Sequence, residues 1–312
     1  MADIDIIVVC GPTASGKTAL AVELAKRIDA EVVSADSMQI YKEMNIGTAK
    51  PDMEERGGIR HHMLDVVSVT EDYNVSRYVS EATRCIENIR NREKKVILAG
   101  GTGLYIDSLI NNIDFFEIEN DYEYRAKLLK CAEENGNMFV HDMLRTVDPD
   151  TACRLHPNDL KRVIRALEVY KVTGKTMSLI QRESVRERRY NTLFAGIDYA
   201  DRSVLYERIE RRVGIMIRSG LPIEARKLMN YDLSATARAA IGYCEMFEYF
   251  EHKISLDEAV LKICKRTRNY AKRQLTWFRK NKEINWLYPD LCNCSAGELA
   301  DSVCEKLNLI GG

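Results

Sequence analysis

The stretch IDIIVVCGPTASGKTALAVELA, starting at Ile4, constrains this chain more than any other. Ile6, Ile7, Val8 and Val9 form an unbroken, largely β-branched apolar run, the pattern of a parallel strand covered on both faces. The run stops at Gly11-Pro12. Beyond Gly16-Lys17-Thr18, the residues Ala19, Leu20, Val22, Leu24 and Ala25 continue at helical spacing. Gly11, Pro12, Thr13, Ala14, Ser15, Gly16, Lys17 and Thr18 therefore fit G-x-x-x-x-G-K-[ST] in the context it requires, a strand before and a helix after. Glycines bring backbone N–H groups close to an anion, and the helix N-terminus adds positive potential. Lys17 supplies a point charge for the phosphates, and the Thr18 hydroxyl can ligate Mg²⁺. The motif specifies a bound polyphosphate without saying which one, or which bond breaks.

Two further strand ends converge on the same place. Glu31 to Ser34 reads as a second strand, ending at Ala35-Asp36-Ser37. Ligands of open parallel sheets collect at the carboxyl ends of strands, so Asp36 is expected to face the phosphate loop. The same Asp36 can also cap the helical turn at Met38 and Ile40. Lys95 to Ala99 is another buried strand, ending at Gly100-Gly101-Thr102-Gly103. Those glycines predict close approach of something to the backbone, with the Thr102 hydroxyl in the crevice. Ile46 to Pro51 is a turn-rich loop. His61 to Val67 is a short strand candidate, in which adjacent histidines point to opposite faces, and one buried, hydrogen-bonded His is expected. Ser76 to Arg92 is helical by period.

From about Asn120 the texture changes. Helical patterns run over Tyr124 to Glu134, Val140 to Val147, Asp159 to Val172 and Thr176 to Glu187, with no strand until Leu193. This predicts an α/β core, residues 1–119 and 191–312, interrupted by a helical insertion domain, residues 120–190. Lys161, Arg162, Arg165, Arg182, Arg186, Arg188 and Arg189 make the insertion locally basic, which a solvated face with alternating charges also explains. Leu193 to Ile197 resumes the strand pattern. A helix over Ser203 to Ser219 follows, carrying Arg208, Arg211, Arg212 and Arg218, with Gly220 just past its end. Lys262 to Lys282 holds nine Lys or Arg and no Asp or Glu, interleaved with Tyr270, Trp277 and Phe278. Basic residues can hold nucleic-acid phosphates and aromatics can stack bases. An amphipathic helix with core aromatics explains the same residues, and Trp277 is expected to be partly core.

Composition narrows the rest. The net charge of −1 demands neither nucleic acid nor membrane. No stretch approaches the roughly 20 apolar residues of a membrane helix, and the N-terminus has no signal or transit pattern. Nine scattered cysteines suit a reducing cytoplasm better than a disulfide framework. Cys292 and Cys294, the one close pair, lack the second pair or His of a zinc site.

Three functions fit these features: a small-molecule or nucleoside kinase, an enzyme holding a leaving pyrophosphate while it alkylates a nucleic acid, and a nucleotide-dependent switch. The second accounts for the loop, Asp36, the helical insertion and the basic segment together. The residues also carry a resemblance. GPTASGKTAL from Gly11, SADSMQIYKEMNIGTAKP from Ser34, HHMLDV from His61, GGTGLY from Gly100, HPNDLKRVIRALEVY from His156, ERIERRV from Glu207, IGY from Ile241 and KRQLTWFRK from Lys272 are similar to the tRNA dimethylallyltransferases, or tRNA isopentenyltransferases. The match runs over nearly the whole chain.

The resemblance implies a P-loop NTPase-like parallel-sheet core with a helical insertion. It implies transfer of a dimethylallyl group from dimethylallyl pyrophosphate to N6 of adenosine 37, in tRNAs reading codons that begin with U. The adenosine is flipped into a channel, and the loop holds the donor's pyrophosphate with Mg²⁺ bound through Thr18. Asp36 is the implied general base, with Lys17, Thr102 and Arg212 as the other catalytic residues. Asp36, Ser37, Met38, Gln39 and Thr102 are implied contacts of the target nucleotide. Lys161, Arg162, Val163, Ile164, Arg165, Gly242 and Tyr243 are implied contacts of the tRNA anticodon stem-loop. Lys161 stands where many relatives have Gln, and Cys244 where many have Lys or Arg. Phe115 to Tyr124 lacks the proline-rich pattern common there. Without a C-terminal zinc finger, the chain is expected to be a bacterial, cytoplasmic enzyme and a monomer.

Overall fold

A computed structural model describes residues 4–113, 121–184 and 186–311. The chain forms two compact units, one of Met1–Ile110 with Arg188–Gly312 and one of Asn111–Glu187. The expected boundary at 119/120 and the segment Phe115 to Asn120 lie outside the described residues.

The first unit opens with β1 (Ile6–Cys10), α1 (Lys17–Ile28), β2 (Ala30–Ser34), β3 (His61–His62), α2 (Val75–Arg90), β4 (Lys95–Gly100) and α3 (Gly103–Ile110). The second unit is helical: α4 (Tyr122–Asn135), α5 (Asn137–Val147), α6 (Pro149–Arg154), α7 (Leu160–Thr173) and α8 (Met177–Glu183). It has its own core, with Leu128, Val140, Leu144, Val163, Ile164 and Leu167 among its members. The first unit resumes with β5 (Thr192–Ile197), α9 (Arg202–Arg218), α10 (Leu221–Leu228), α11 (Ala235–Arg238), α12 (Tyr243–Phe250), α13 (Leu256–Phe278), β6 (Asn285–Leu287), α14 (Pro289–Cys292) and α15 (Ala296–Gly311).

The strands form one six-stranded sheet in the order β3-β2-β4-β1-β5-β6, with every pair parallel. Its central strands are apolar along their length because both faces are covered. Register aligns their ends: Cys10 sits beside Gly100 on one side and Gly196 on the other, and Ser34 sits beside Ala99. Gly11, Ala35 and Gly101 therefore leave the sheet at one edge, which is why three distant segments can build one site.

Several details depart from the sequence reading. The strand expected over His61 to Val67 is only His61–His62. Neither histidine is fully buried and both are bonded, His62 Nε2 to Glu31 at 2.6 Å and His61 Nδ1 to the Ile59 carbonyl at 3.0 Å. The helix expected over Thr176 to Glu187 ends at Glu183. The sequence reading assigns no element at α3, α6, α10, α11, α12, α14, α15 or β6; Asp148 caps α6, with Pro149 in its first turn, and β6 is added at the sheet edge next to β5. Cys292 and Cys294 are joined as a disulfide, against the expectation that scattered cysteines form no disulfide framework. The other seven cysteines are free thiols. No helix among the described residues is long and apolar enough to cross a membrane.

Candidate active site at the strand ends

The loop between β1 and α1 bounds a cavity of about 410 Å³. Thr13 to Thr18 line it, together with Asp36, Gln39, Thr48, Ala49, Gly100, Arg208, Arg212 and Gln274. Gly11 and Pro12 lie behind this wall. The Lys17 ammonium donates to the Pro12 carbonyl at 2.5 Å, so the loop is already folded around its own lysine. Three side chains from later in the chain hold it in place. Arg212 on α9 donates to the Thr13 hydroxyl, Arg208 Nε to the Ala14 carbonyl at 2.9 Å, and the Tyr199 hydroxyl to the Ser15 carbonyl at 3.1 Å. Arg208 and Arg212 share a helix face because they are four residues apart.

The electrostatics are those of a site waiting for an anion. Burial pushes the Lys17 ammonium down to about 8, with the Arg212 charge adding to the effect. Burial also pushes Arg212 down to about 10, against the pull of Asp36. Two cations desolvated side by side destabilise each other unless negative charge joins them. The Arg212 Nε–H has no hydrogen-bond partner, which is the same demand expressed in geometry.

Asp36 follows β2 and lines the same cavity. Its Oδ1 accepts from Met38 N–H at 2.9 Å and Gln39 N–H at 3.3 Å. The capping role and the site position thus coexist in one residue. Thr102 is not in the cavity wall. Its hydroxyl accepts from Ser37 N–H at 3.0 Å, directly behind Asp36. The neighbouring glycines admit protein: a Cβ on Gly101 would lie 2.2 Å from Gln274 Nε2, and one on Gly103 would lie 2.3 Å from the Trp277 ring. Trp277 is indeed partly core, and its Nε1 donates to Asp107 at 2.7 Å.

Gln274 is the main residue that the sequence reading did not single out. Buried on α13, it accepts from Thr13 N–H and donates to the Gly101 carbonyl, both at 2.8 Å. It ties the phosphate loop to the glycine turn. The available signal was its position, a long polar side chain on a helix face it shares with Thr267, Ala271, Leu275 and Phe278.

The implied tRNA contacts divide. Lys161 and Arg162 are exposed, but Val163 and Ile164 are core residues of the helical unit. Arg165 is bonded to the buried Glu168. Tyr243 is fully buried and Gly242 lies beneath the surface, so neither presents a side chain to an external partner. The period of each helix fixes this: the same spacing that puts one residue outside turns its neighbour inward. On α13 and just beyond, Lys262, Arg266, Arg268 and Arg279 pair with Glu248, Glu245, Glu210 and Asp198. Lys265, Lys272, Arg273, Lys280 and Lys282 pair with no carboxylate among the described residues.

No cluster of three or more His, Cys, Asp or Glu side chains suited to a metal occurs among the described residues. Mg²⁺ does not require one. It keeps several waters and takes one or two protein oxygens along with phosphate oxygens. The Thr18 hydroxyl on the cavity wall fits that donor set.

A parallel sheet whose first strand runs into such a loop, with a lysine and an arginine at the cavity, has the architecture of a P-loop-type core. The comparisons narrow the class. Residues 39–281 match the model of the family described as IPP transferase. The tRNA dimethylallyltransferase of Acetivibrio thermocellus is 48% identical over 289 residues, covering 92% of each chain. That of Caldanaerobacter subterraneus is 47% identical over 291 residues, again 92% of each. The full-length tRNA isopentenylpyrophosphate transferase of Bacillus halodurans gives a TM-score of 0.71 at 38% identity, covering 98% of this chain and 97% of that one. A eukaryotic dimethylallyltransferase seen acting on tRNA gives 0.75 at 31% identity, covering 91% of this chain and 73% of that one. The chain belongs to the IPP transferase family, the tRNA dimethylallyltransferases, and is a prenyltransferase.

Proposed function

We propose that the chain transfers the dimethylallyl group of dimethylallyl pyrophosphate to N6 of adenosine 37, in tRNAs reading codons that begin with U, and releases pyrophosphate. The observation that carries this reading is the arrangement of Lys17 and Arg212 with Asp36 around one cavity. The C1–O bond of the donor breaks, and its electron pair leaves with the pyrophosphate. Lys17, Arg212 and the loop amides stabilise the charge that develops there. Mg²⁺ held at Thr18 would add further neutralisation when bound. The N6 amine forms the new bond to C1. Its lone pair is delocalised into the ring, so loss of its proton to Asp36 removes the handicap. Asp36 Oδ1 already accepts two backbone N–H groups, which leaves Oδ2 for that proton. The base must be extruded from its stack to reach the site. Lys161, Arg162 and the unpaired cations of α13 are our candidates for holding the anticodon stem-loop. The enzyme acts as a cytoplasmic monomer in this reading.

Family membership disfavours the kinase alternative, and a direct assay tests it. The protein is incubated with tRNA and either ATP or dimethylallyl pyrophosphate. Pyrophosphate release and prenylated tRNA are expected from the allylic donor alone; consumption of ATP with no prenylated product would refute the reading.

Donor affinity should also depend on pH, with a sign set by Lys17. Bound pyrophosphate favours the ammonium form, so the Lys17 pKa rises from about 8 on binding. Below pH 8 the lysine is charged with or without donor, and affinity is flat. Above pH 8 binding must take up a proton, and affinity falls by up to about tenfold per pH unit. Calorimetric titration from pH 7 to 9.5, in buffers of different ionisation enthalpy, reads both the affinity and the proton uptake.

A further inference from the structure

Glu224 on α10 has no part in the transfer chemistry above, yet its carboxylate gathers an unusual set of donors. It accepts from three consecutive backbone N–H groups, Asn45 at 3.1 Å, Ile46 at 2.9 Å and Gly47 at 3.1 Å. The Tyr243 hydroxyl donates to it at 2.6 Å and also accepts from Gly47 N–H at 3.1 Å. Such charge-assisted bonds are short and strong, and together they fix a backbone segment that has no regular secondary structure. Gly47 allows the approach, since a Cβ there would lie 2.5 Å from the Tyr243 ring.

The clamped segment leads straight to the active site. Thr48 and Ala49 follow it and line the cavity. Their carbonyls accept from Gln39 Nε2 at 3.3 Å and 3.1 Å. The Gln39 backbone N–H donates to Asp36 Oδ1 at 3.3 Å. A continuous path of hydrogen bonds thus joins Glu224 to the carboxylate assigned to take the acceptor's proton. It also gives Gln39 and Tyr243 duties other than direct contact with a nucleotide.

We propose that Glu224 is a positioning residue for Asp36: by clamping the backbone of Asn45 to Gly47 it holds Thr48 and Ala49, and through Gln39 it sets the direction in which Asp36 presents its free oxygen. This rests on the proposed role of Asp36. Misplacing a reacting group by a fraction of an ångström is costly even when the altered residue is remote.

A double-mutant cycle tests the path. Glu224→Gln keeps the shape but sets an amide against backbone donors. Single-turnover transfer to tRNA should fall about 10–100-fold, with pyrophosphate affinity within about twofold of wild type, because the loop at Thr13 to Thr18 is held independently. Combined with Asp36→Asn, the loss should be no greater than with Asp36→Asn alone, since both changes remove the same function. Tyr243→Phe removes one donor and leaves the charge. It should give a smaller loss with the same non-additivity, and it carries the test if Glu224→Gln fails to fold. Additive losses in the double variant, unchanged transfer in both single variants, or a parallel loss of pyrophosphate affinity would each overturn the proposal. Absence of transfer by the wild type identifies failure of the functional reading, and a neutral Asp36→Asn identifies failure of the assignment of the base; either removes the proposal with it.

Discussion

Asp36→Asn should slow single-turnover transfer to tRNA by about 10²–10⁴, the usual worth of a general base. The structure makes this substitution unusually clean. The Asn carbonyl oxygen can accept the Met38 and Gln39 N–H groups as Asp36 Oδ1 does, and Asn caps a turn nearly as well as Asp. Thermal stability should therefore hardly change. Binding of donor and of tRNA should change far less than the rate, because the lost interaction belongs mainly to the transition state. A near-normal single-turnover rate beside normal melting would reduce Asp36 to a cap and leave the base unidentified.

Lys17→Ala should weaken donor binding by about 2–5 kcal/mol, roughly 30- to 4,000-fold, the range for truncating one member of a buried charge pair. Its effect on the empty protein should run the other way. The Lys17 ammonium is buried beside Arg212, and its lowered pKa shows that the fold carries this charge at a cost. Removing it should leave the unliganded melting temperature unchanged or slightly raised. The stabilisation normally conferred by pyrophosphate should vanish, since that shift follows from mass action on the bound state. Two melting curves per variant, with and without pyrophosphate, check this. A pyrophosphate-induced shift equal to that of wild type would place the anion elsewhere.

The parts of this enzyme legible in its sequence were those whose signal is local. The apolar run at Ile6 to Val9, the loop to Thr18 and the strand end at Asp36 each carry their meaning within a few residues, and the sheet register brings them together. Arg208 and Arg212 were visible as basic residues of one expected helix, and only the resemblance marked Arg212 as a site residue. Residues defined by distant partners were not. Gln274 contacts residues more than 170 positions away, and nothing near it in sequence announces the phosphate loop. Tyr243 and Ile164 show the converse, side chains that the matching motifs include and the fold buries. A matching motif names a stretch, whereas burial is decided residue by residue through helix phase and packing. The glycine turn was read correctly as a place of close approach, but side chains of α13 fill it.

The place of the helical unit in the chain bears on how the protein is made. β1 is the central strand, and it pairs on one side with β4 and on the other with β5, Ile6 lying beside Thr192. Nearly two hundred residues separate these last partners, and closing so long a loop makes their pairing intrinsically slow. During synthesis, β1, β2 and β4 leave the ribosome well before β5. The intervening segment has a hydrophobic core of its own, built from helices that are neighbours in sequence, and domains of this kind generally fold as units while the rest of the chain is still emerging. Meanwhile the far edge of β1 is an unpaired strand of Ile and Val, the kind of edge that recruits other chains. Nascent chains that stall before Ile197 are therefore the ones most exposed to aggregation and most dependent on chaperones.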